Sequence, residues 1–471
     1  MSDAPSLIDK TGMGGVIAID GFDYQRWDAI CRIPAWLKNA AFEGLTVEAL
    51  EDFEARFFSP HAAHGHVLER FQAKSGHLTR GEIVEVFENF RTYDTHYPNT
   101  ALIQTLVTPA LPTALRWLER DAGRIERARR FYQPFTDITD ANDRAFQTKL
   151  EAEFSGDLGR FVAKNANIFL RSLHDQSAAA SAFADELSKA YPESDFSMRS
   201  VQDLFQKLNE VFANAVGEMV DRAVLIDLFS AIIPELLNSQ GCPVRILSAE
   251  QPGEVDCIDI DGRPFSGGDL AYPAPDVWKS KLLKPLNRAA EWCRVNGHSR
   301  IVLSGRYRLS TGFAIGAAFR SASGFEIEIP TREGFWNTDA HLVSGKSYPE
   351  WTIEPPAQSY NDSLVVAIGC LRDPTQQVEK QLALDDTQKI LRLHLPEAVT
   401  SAEDLQASVQ SIKKAVSSAC GKFNVNEIDC YFVGPAALAV ALGHRWNGLP
   451  PTQWYEFVVS ESEYVPTLRV S

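Results

Sequence analysis

The chain has 471 residues, 45% of them hydrophobic and 23% charged, with a formal net charge of −16. At roughly 100–200 residues per domain this length implies two to four units, and so acidic a chain excludes a surface coated for nucleic acid while leaving room for one local basic track. No stretch approaches the ~18 apolar residues of a membrane span, and MSDAPSLIDKTGMGG has no basic segment followed by an apolar run, so no signal peptide is expected.

From residue 14 to about 150, strands and helices mix. Gly21 to Leu37 predicts a helix opening after a glycine-rich segment, and Leu45 to Phe58, with alternating polar and apolar positions, predicts a strand. Val67 to Lys74 predicts a second strand. Thr79 to Phe90 predicts an amphipathic helix, with Thr79 as cap and Glu82 completing a capping box. Ala101 to Val107 predicts a buried strand and Ala114 to Phe131 a charged helix. This order suits a small α/β domain. Residues from about 150 to 235 carry apolar positions at helical spacing and few prolines, which predicts a helical connector.

From about residue 240 the pattern alternates again and holds an internal repeat. One copy is IVLSGRYRLSTGFAIGAAFR followed by FEIEIPT, and the other IDCYFVGPAALAVALGHRWN followed by TQWYEFVV. Leu309-Ser310-Thr311 is read as standing where the second copy has Gly434-Pro435-Ala436. Between them, residues 363–370 predict a buried strand and Ala402 to Ala419 a helix. Two strand–turn–helix units suggest a pseudo-symmetric pair of nucleotide-binding half-domains.

The seven cysteines, Cys31, Cys242, Cys257, Cys293, Cys370, Cys420 and Cys430, are widely spaced, odd in number and form no CxxC pair. They read as reduced, buried thiols of a cytoplasmic protein, without a zinc site.

The sharpest chemical signal joins LTVEALEDFEARFF to HVLERFQAKS. Gln72 and Lys74 are two apart on one predicted strand and so share a face; Asp52 lies on the neighbouring one. Asp52 offers a hard carboxylate oxygen, Gln72 an amide oxygen, and Glu48, on the same strand face as Asp52, a second carboxylate. Such donors hold Mg²⁺ or Mn²⁺, and the cation with Lys74 can activate water and stabilise charge on phosphorus. A Gln-x-Lys strand also occurs on plain solvent-facing sheets; the spacing to Asp52 and the upstream segment favour the catalytic reading. Arg116, Arg120, Arg124 and Arg127 recur at helical spacing, but interleaved Glu119, Asp121 and Glu126 favour a solvated, ion-paired helix over a phosphate track. His61, His64 and His66 read as a polar hairpin turn, since no fourth metal ligand is placed.

These strands resemble the restriction-endonuclease-like fold, whose motif is Asp, then an acid or Gln, one spacer, and Lys. GGVIAIDGFDYQ resembles the leading helix of a bacterial defence branch of that fold, in which a Gly-Phe-x-Tyr-Gln segment precedes the Asp. The resemblance implies Gln25, Asp52, Gln72 and Lys74 as catalytic residues. The two repeats resemble the SAVED domain, a fusion of two Rossmann-like (CARF-like) halves that binds cyclic oligonucleotides in CBASS anti-phage systems.

For the pocket, helix N-termini suit phosphates. Ser310, Thr311, Gly434, Pro435 and Ala436 are its candidates there, with Arg306 and Arg372 for phosphate pairing and Trp336 and Tyr455 for base stacking. Core packing is the alternative for both aromatics and a plain tight turn for Gly434-Pro435.

The expected fold class is therefore α/β: a restriction-endonuclease-like domain over residues 1–150, a helical connector over 151–238 and a SAVED domain over 239–471. The resemblance implies a CBASS effector that binds a cyclic oligonucleotide, here a cyclic trinucleotide, from a partner nucleotidyltransferase. Binding would drive homo-oligomerisation and metal-dependent hydrolysis of double-stranded DNA with little sequence preference. The alternatives are a catalytically inactive nucleotide sensor and a ring nuclease acting on its own ligand.

Overall fold

The computed structural model describes residues 14–47, 52–98, 100–122, 136–237, 241–248, 257–267, 272–332, 334–360, 362–384 and 389–471. It divides into two compact units, Met1–Asn238 and Ser239–Ser471.

The first unit is built on one six-stranded sheet in the order β5-β4-β3-β2-β1-β6. The expected strand from Leu45 to Phe58 is a hairpin: β1 (Phe42–Val47) and β2 (Phe53–Phe58) pair antiparallel, Val47 opposite Phe53. Each carries its own alternation, so the pattern ran unbroken through the turn; Phe53, Ala55 and Phe57 are buried and the residues between them half-buried. β3 (His66–Ala73) is antiparallel to β2, and β4 (Ala101–Thr108) is parallel to β3. Between them, helix α2 (Arg80–His96) starts at the expected capping box: Thr79 and Glu82 satisfy each other's backbone amides, and Ile83, Val86, Phe87 and Phe90 face the core.

The expected helical connector also supplies strands to this sheet. β5 (Ala166–Leu170) runs parallel to β4, and β6 (Met219–Asp221) lies antiparallel to β1. A five-residue apolar run such as ANIFL carries too few periods to separate strand from helix. The connector's helices Gln176–Ala190, Met198–Asn214 and Arg222–Ser230 share one core with α1 (Gly14–Lys38), made of Ile30, Ile33, Leu37, Phe183, Leu208 and Phe229 among others. That core covers the sheet face bearing Phe53, Phe71 and Ala73. The opposite face, with Leu106, packs on α2 and on helices Thr136–Glu153 and Gly156–Asn165.

The second unit holds two sheets of parallel design. The first has the order β11-β10-β9-β7-β8, from β7 (Cys242–Leu247), β8 (Ile258–Asp261), β9 (Arg300–Gly305), β10 (Glu326–Thr331) and β11 (Gly334–Asn337). The second has the order β12-β14-β13-β15-β16-β17, from β12 (Thr352–Glu354), β13 (Ser363–Cys370), β14 (Ile390–Leu395), β15 (Glu427–Val433), β16 (Thr452–Val458) and β17 (Glu463–Val470). Apart from the added edge strand β12, both follow the same order, with an antiparallel last strand.

In each half a ten-residue helix follows the third strand, Leu309–Ala318 in one and Ala436–Arg445 in the other, and the two helices pack on each other. Their approach needs glycine. A Cβ on Gly316 would lie 2.0 Å from the Val440 carbonyl oxygen, and one on Gly443 would lie 2.1 Å from that of Phe313. These contacts are reciprocal, so Gly316 corresponds to Gly443 and Phe313 to Val440. This register sets Leu309 against Ala436 and corrects the expected match of Leu309 with Gly434 by two positions.

Among the described residues, no helix is long and apolar enough to cross a membrane. All seven cysteines are free thiols.

Candidate functional site

Asp52 sits in the bend that leads into β2, where its carboxylate accepts the backbone N–H of Ala73. That amide lies on β3 between Gln72 and Lys74. Phe53 stands opposite Phe71, their rings stacked 4.5 Å apart. Continuing this antiparallel register by one residue sets Asp52 across from Gln72. Gln72 pairs on its other side with Leu106, and its Oε1 is buried with no hydrogen-bond partner. Such an orphan acceptor is uncommon in a folded interior. Lys74 lies just past β3 but keeps strand register, its N–H donating to the Val107 carbonyl at 2.8 Å. Gln72 and Lys74 are half-buried and share a strand face.

Asp52, Gln72 and Lys74 therefore come together at the carboxyl end of β3. Gln25 comes from another element. It is half-buried on α1, which packs on the face bearing Phe71 and Ala73, whereas Gln72 lies in the face of Leu106. Tyr24, donating to the Arg171 carbonyl at 2.7 Å, and Asp28, paired with the Arg171 guanidinium at 3.3 Å, anchor that helix. Glu48 lies outside the described residues.

The donor set thus holds one carboxylate and one orphaned amide oxygen. Among the described residues no group of three His, Cys, Asp or Glu gathers to hold a metal. Hard divalent cations take oxygen ligands and keep several waters, so Asp52 and Gln72 fit as protein ligands of such an ion.

The other candidates of this unit take their plainer reading. His66 is not in the turn but opens β3 opposite Phe58, its pKa lowered first by burial and then by Arg56. Arg120 pairs with Asp121 at 3.1 Å, which also takes Lys149 at 2.6 Å. Arg116 is exposed, and Arg124 and Arg127 lie outside the described residues.

In parallel α/β sheets, ligands sit beyond the carboxyl ends of strands where the strand order reverses. Here those points lie between β7 and β9 and between β13 and β15. At the first, Gly305 has φ +92°, and a Cβ there would lie 2.2 Å from the Ile246 carbonyl oxygen; exposed Arg306 follows it. At the second, Leu371 turns with φ +65° and exposed Arg372 holds its guanidinium 5.5 Å from the centre of the Phe457 ring. Half-buried Gly434, Pro435 and Ala436 lead into the helix at the same end. Arg306, Arg372, Gly434, Pro435 and Ala436 therefore all lie at carboxyl ends of central strands.

Ser310 and Thr311 do not present hydroxyls to solvent. They are 0% and 2% exposed, and both the Ser310 N–H (3.1 Å) and its Oγ–H (2.7 Å) donate to Glu456 Oε2. A buried carboxylate on β16 already occupies the helix N-terminus where a phosphate was expected. Burial raises the Glu456 pKa, opposed by its bonds from Ser310. Sequence reading missed Glu456, whose one signal is a lone acid in the apolar strand TQWYEFV. Tyr455 stacks on Tyr431 at 4.3 Å and donates to Asp429 Oδ1 at 3.2 Å, its pKa pushed up to about 12 by burial and that carboxylate. One face of its ring is thus core packing. Trp336 is half-buried on edge strand β11, opposite Ile329.

Residues 286–470 match the SAVED family, described as the SMODS-associated and fused to various effectors sensor domain. Over 99% of both chains, the sequence is 24% identical to CD-NTase-associated protein 4 of an Acinetobacter species, and equally to that of Moraxella osloensis. The Acinetobacter baumannii Cap4 SAVED/CARF-domain containing receptor, solved with the cyclic trinucleotide 2′3′3′-cAAA, superposes with a TM-score of 0.77 at 20% identity, covering 95% of this chain and 98% of the other. The Moraxella osloensis receptor gives 0.75, covering 97% and 100%. The chain thus carries a SAVED sensor domain over residues 286–470, and along its full length it is similar to CD-NTase-associated protein 4 of two bacteria.

Proposed function

We propose that the chain is a metal-dependent endonuclease of double-stranded DNA, switched on by a cyclic oligonucleotide as the effector of a CBASS antiviral system in the cytoplasm. The observation that carries the enzymatic half is the Asp52 carboxylate set on the Ala73 amide, beside the orphaned Oε1 of Gln72 and ahead of Lys74. The sensor half is supported by the SAVED match and by the likeness to a receptor solved with cyclic tri-adenylates, which favours a cyclic trinucleotide.

Asp52 and Gln72 would hold Mg²⁺ or Mn²⁺, which supplies a Lewis acid and a water acidified toward neutral pH. Asp52 is aimed by the Ala73 amide. The ammonium of Lys74, on the same strand face as Gln72, stabilises the negative charge that grows on the phosphate oxygens. Gln25 on α1 orients substrate from the other side of the strand ends. In the sensor, Arg306 and Arg372 pair with ligand phosphates, and Gly434 to Ala436 let the ligand approach backbone amides. Trp336 stacks on a base. Ligand binding drives homo-oligomerisation, and cutting follows with little sequence preference.

The test is plasmid cleavage in Mg²⁺, with and without cyclic di- and trinucleotides, using wild type and Lys74→Ala. Degradation with one ligand alone, lost in the variant, supports both halves. A second reading, an inactive nucleotide-binding protein, has one observation in its favour: the lack of a three-residue acidic or histidine cluster among the described residues. Tight nucleotide binding with intact plasmid under every condition would select it.

A further inference from the structure

One row beneath Asp52 and Gln72, the sheet sets Glu54, Arg70 and Gln104 side by side on β2, β3 and β4. Arg70 is 0% exposed. Its Nε donates to Glu54 Oε1 at 2.8 Å and its Nη1 to Gln104 Oε1 at 3.1 Å, while its guanidinium carbon lies 3.3 Å from the centre of the Tyr93 ring. Gln104 donates in turn to the Phe90 carbonyl at 3.1 Å, which ties the row to α2. The guanidinium is thus held by three elements at once.

Stability alone does not account for this arrangement. Desolvating an ion pair costs about as much as its attraction returns, and an apolar trio of similar volume is commonly no less stable. The row matters for its position. Glu54 lies two residues from Asp52 along the chain, about 7 Å away on the same face. A glutamate side chain spans much of that distance, so an unpaired Glu54 would bring a second carboxylate toward the Asp52–Gln72 pair.

We propose that Arg70 is a positioning residue of this site: it holds the Glu54 carboxylate away from the cation, so that Asp52 and the neutral amide of Gln72 are left as its donors. The proposal rests on the metal-site reading above. The charge of the site is then set by Asp52 on one row and cancelled on the next, with Gln72 as a neutral donor.

The experiment is calorimetric titration of the full-length chain with Mn²⁺, without DNA or nucleotide. Affinity for such ions rises with the number of charged ligands, so Arg70→Met should tighten Mn²⁺ binding about tenfold. Adding Glu54→Gln to that variant should return the wild-type value, and Arg70→Lys, which keeps the charge, should not depart from it. A cooperatively folded Arg70→Met whose affinity stays within about twofold of wild type overturns the proposal. Should Arg70→Met not fold, Glu54→Gln alone decides: its amide oxygen still accepts from Arg70, but the uncancelled cation should weaken Mn²⁺ binding several-fold, and unchanged affinity counts against the idea. Asp52→Ala separates the two levels. If it leaves Mn²⁺ binding intact, the metal-site reading falls and this inference with it; if it abolishes binding while Arg70→Met changes nothing, only the role of Arg70 falls.

Discussion

The candidate nuclease site and the paired helices of the sensor unit are assembled by opposite means. At the first, a few side chains on adjacent strands converge, each with its own chemistry: a carboxylate on a backbone amide, an orphaned amide oxygen, an ammonium one position on. At the second, the decisive residues have no side chain. Gly316 and Gly443 let two helices meet backbone to backbone, and apart from His444 their neighbours are small or apolar. A site of the first kind tolerates change in packing but not in functional groups. A contact of the second kind tolerates no added atom, whatever its polarity.

Lys74→Ala gives the largest expected effect and strikes only the first region. Cleavage should fall about a thousandfold, as when a preorganised charge is removed from a developing anion, while nucleotide binding by calorimetry stays at the wild-type value. Gly316→Ala strikes only the second. Its methyl must displace the Val440 carbonyl, so thermal unfolding should lose about 3 kcal/mol or more, and Gly443→Ala should match it, since the contact is reciprocal. Unequal losses would break the symmetry argued here.

The pH dependence sharpens the same contrast. His444, beside that contact, is 0% exposed, and burial pushes its pKa down to about 4. The unfolded chain takes up that proton near pH 6.5, so this contribution to stability is complete above about 6.5 and is lost as pH falls toward 4, by roughly 2–3 kcal/mol. Urea unfolding across that range should show the decline, and His444→Gln should flatten it. The smallest effect is expected from Thr79→Ala, which removes the cap of α2 and costs about 1 kcal/mol in chemical unfolding, with cleavage unchanged.

The contrast also governs what could be read from the sequence. The juxtaposition of Asp52, Gln72 and Lys74 was legible because spacing on strands fixes which side chains share a face. The capping box at Thr79 and Glu82 was legible because it is local. The turn between Val47 and Phe53 was not, since both of its strands alternate in step and hide the break. Strand β5 was hidden because a short apolar run between helices has no period of its own. Glu456 closes the Leu309 helix from 146 residues away, a relation no local pattern carries. The two-position error in aligning the repeats arose from matching their turns; the interior glycines, fixed by the helix contact, give the register that holds.

That reciprocal contact has the form of an isologous two-fold interface: what Gly316 does to Val440, Gly443 does to Phe313. In a separate homodimer one substitution would alter both sides together. Within a single chain the two sides mutate independently yet must remain complementary, so the halves can diverge freely at their strand ends and hardly at all along this seam. A half expressed alone would expose a glycine-lined helix already shaped for a copy of itself.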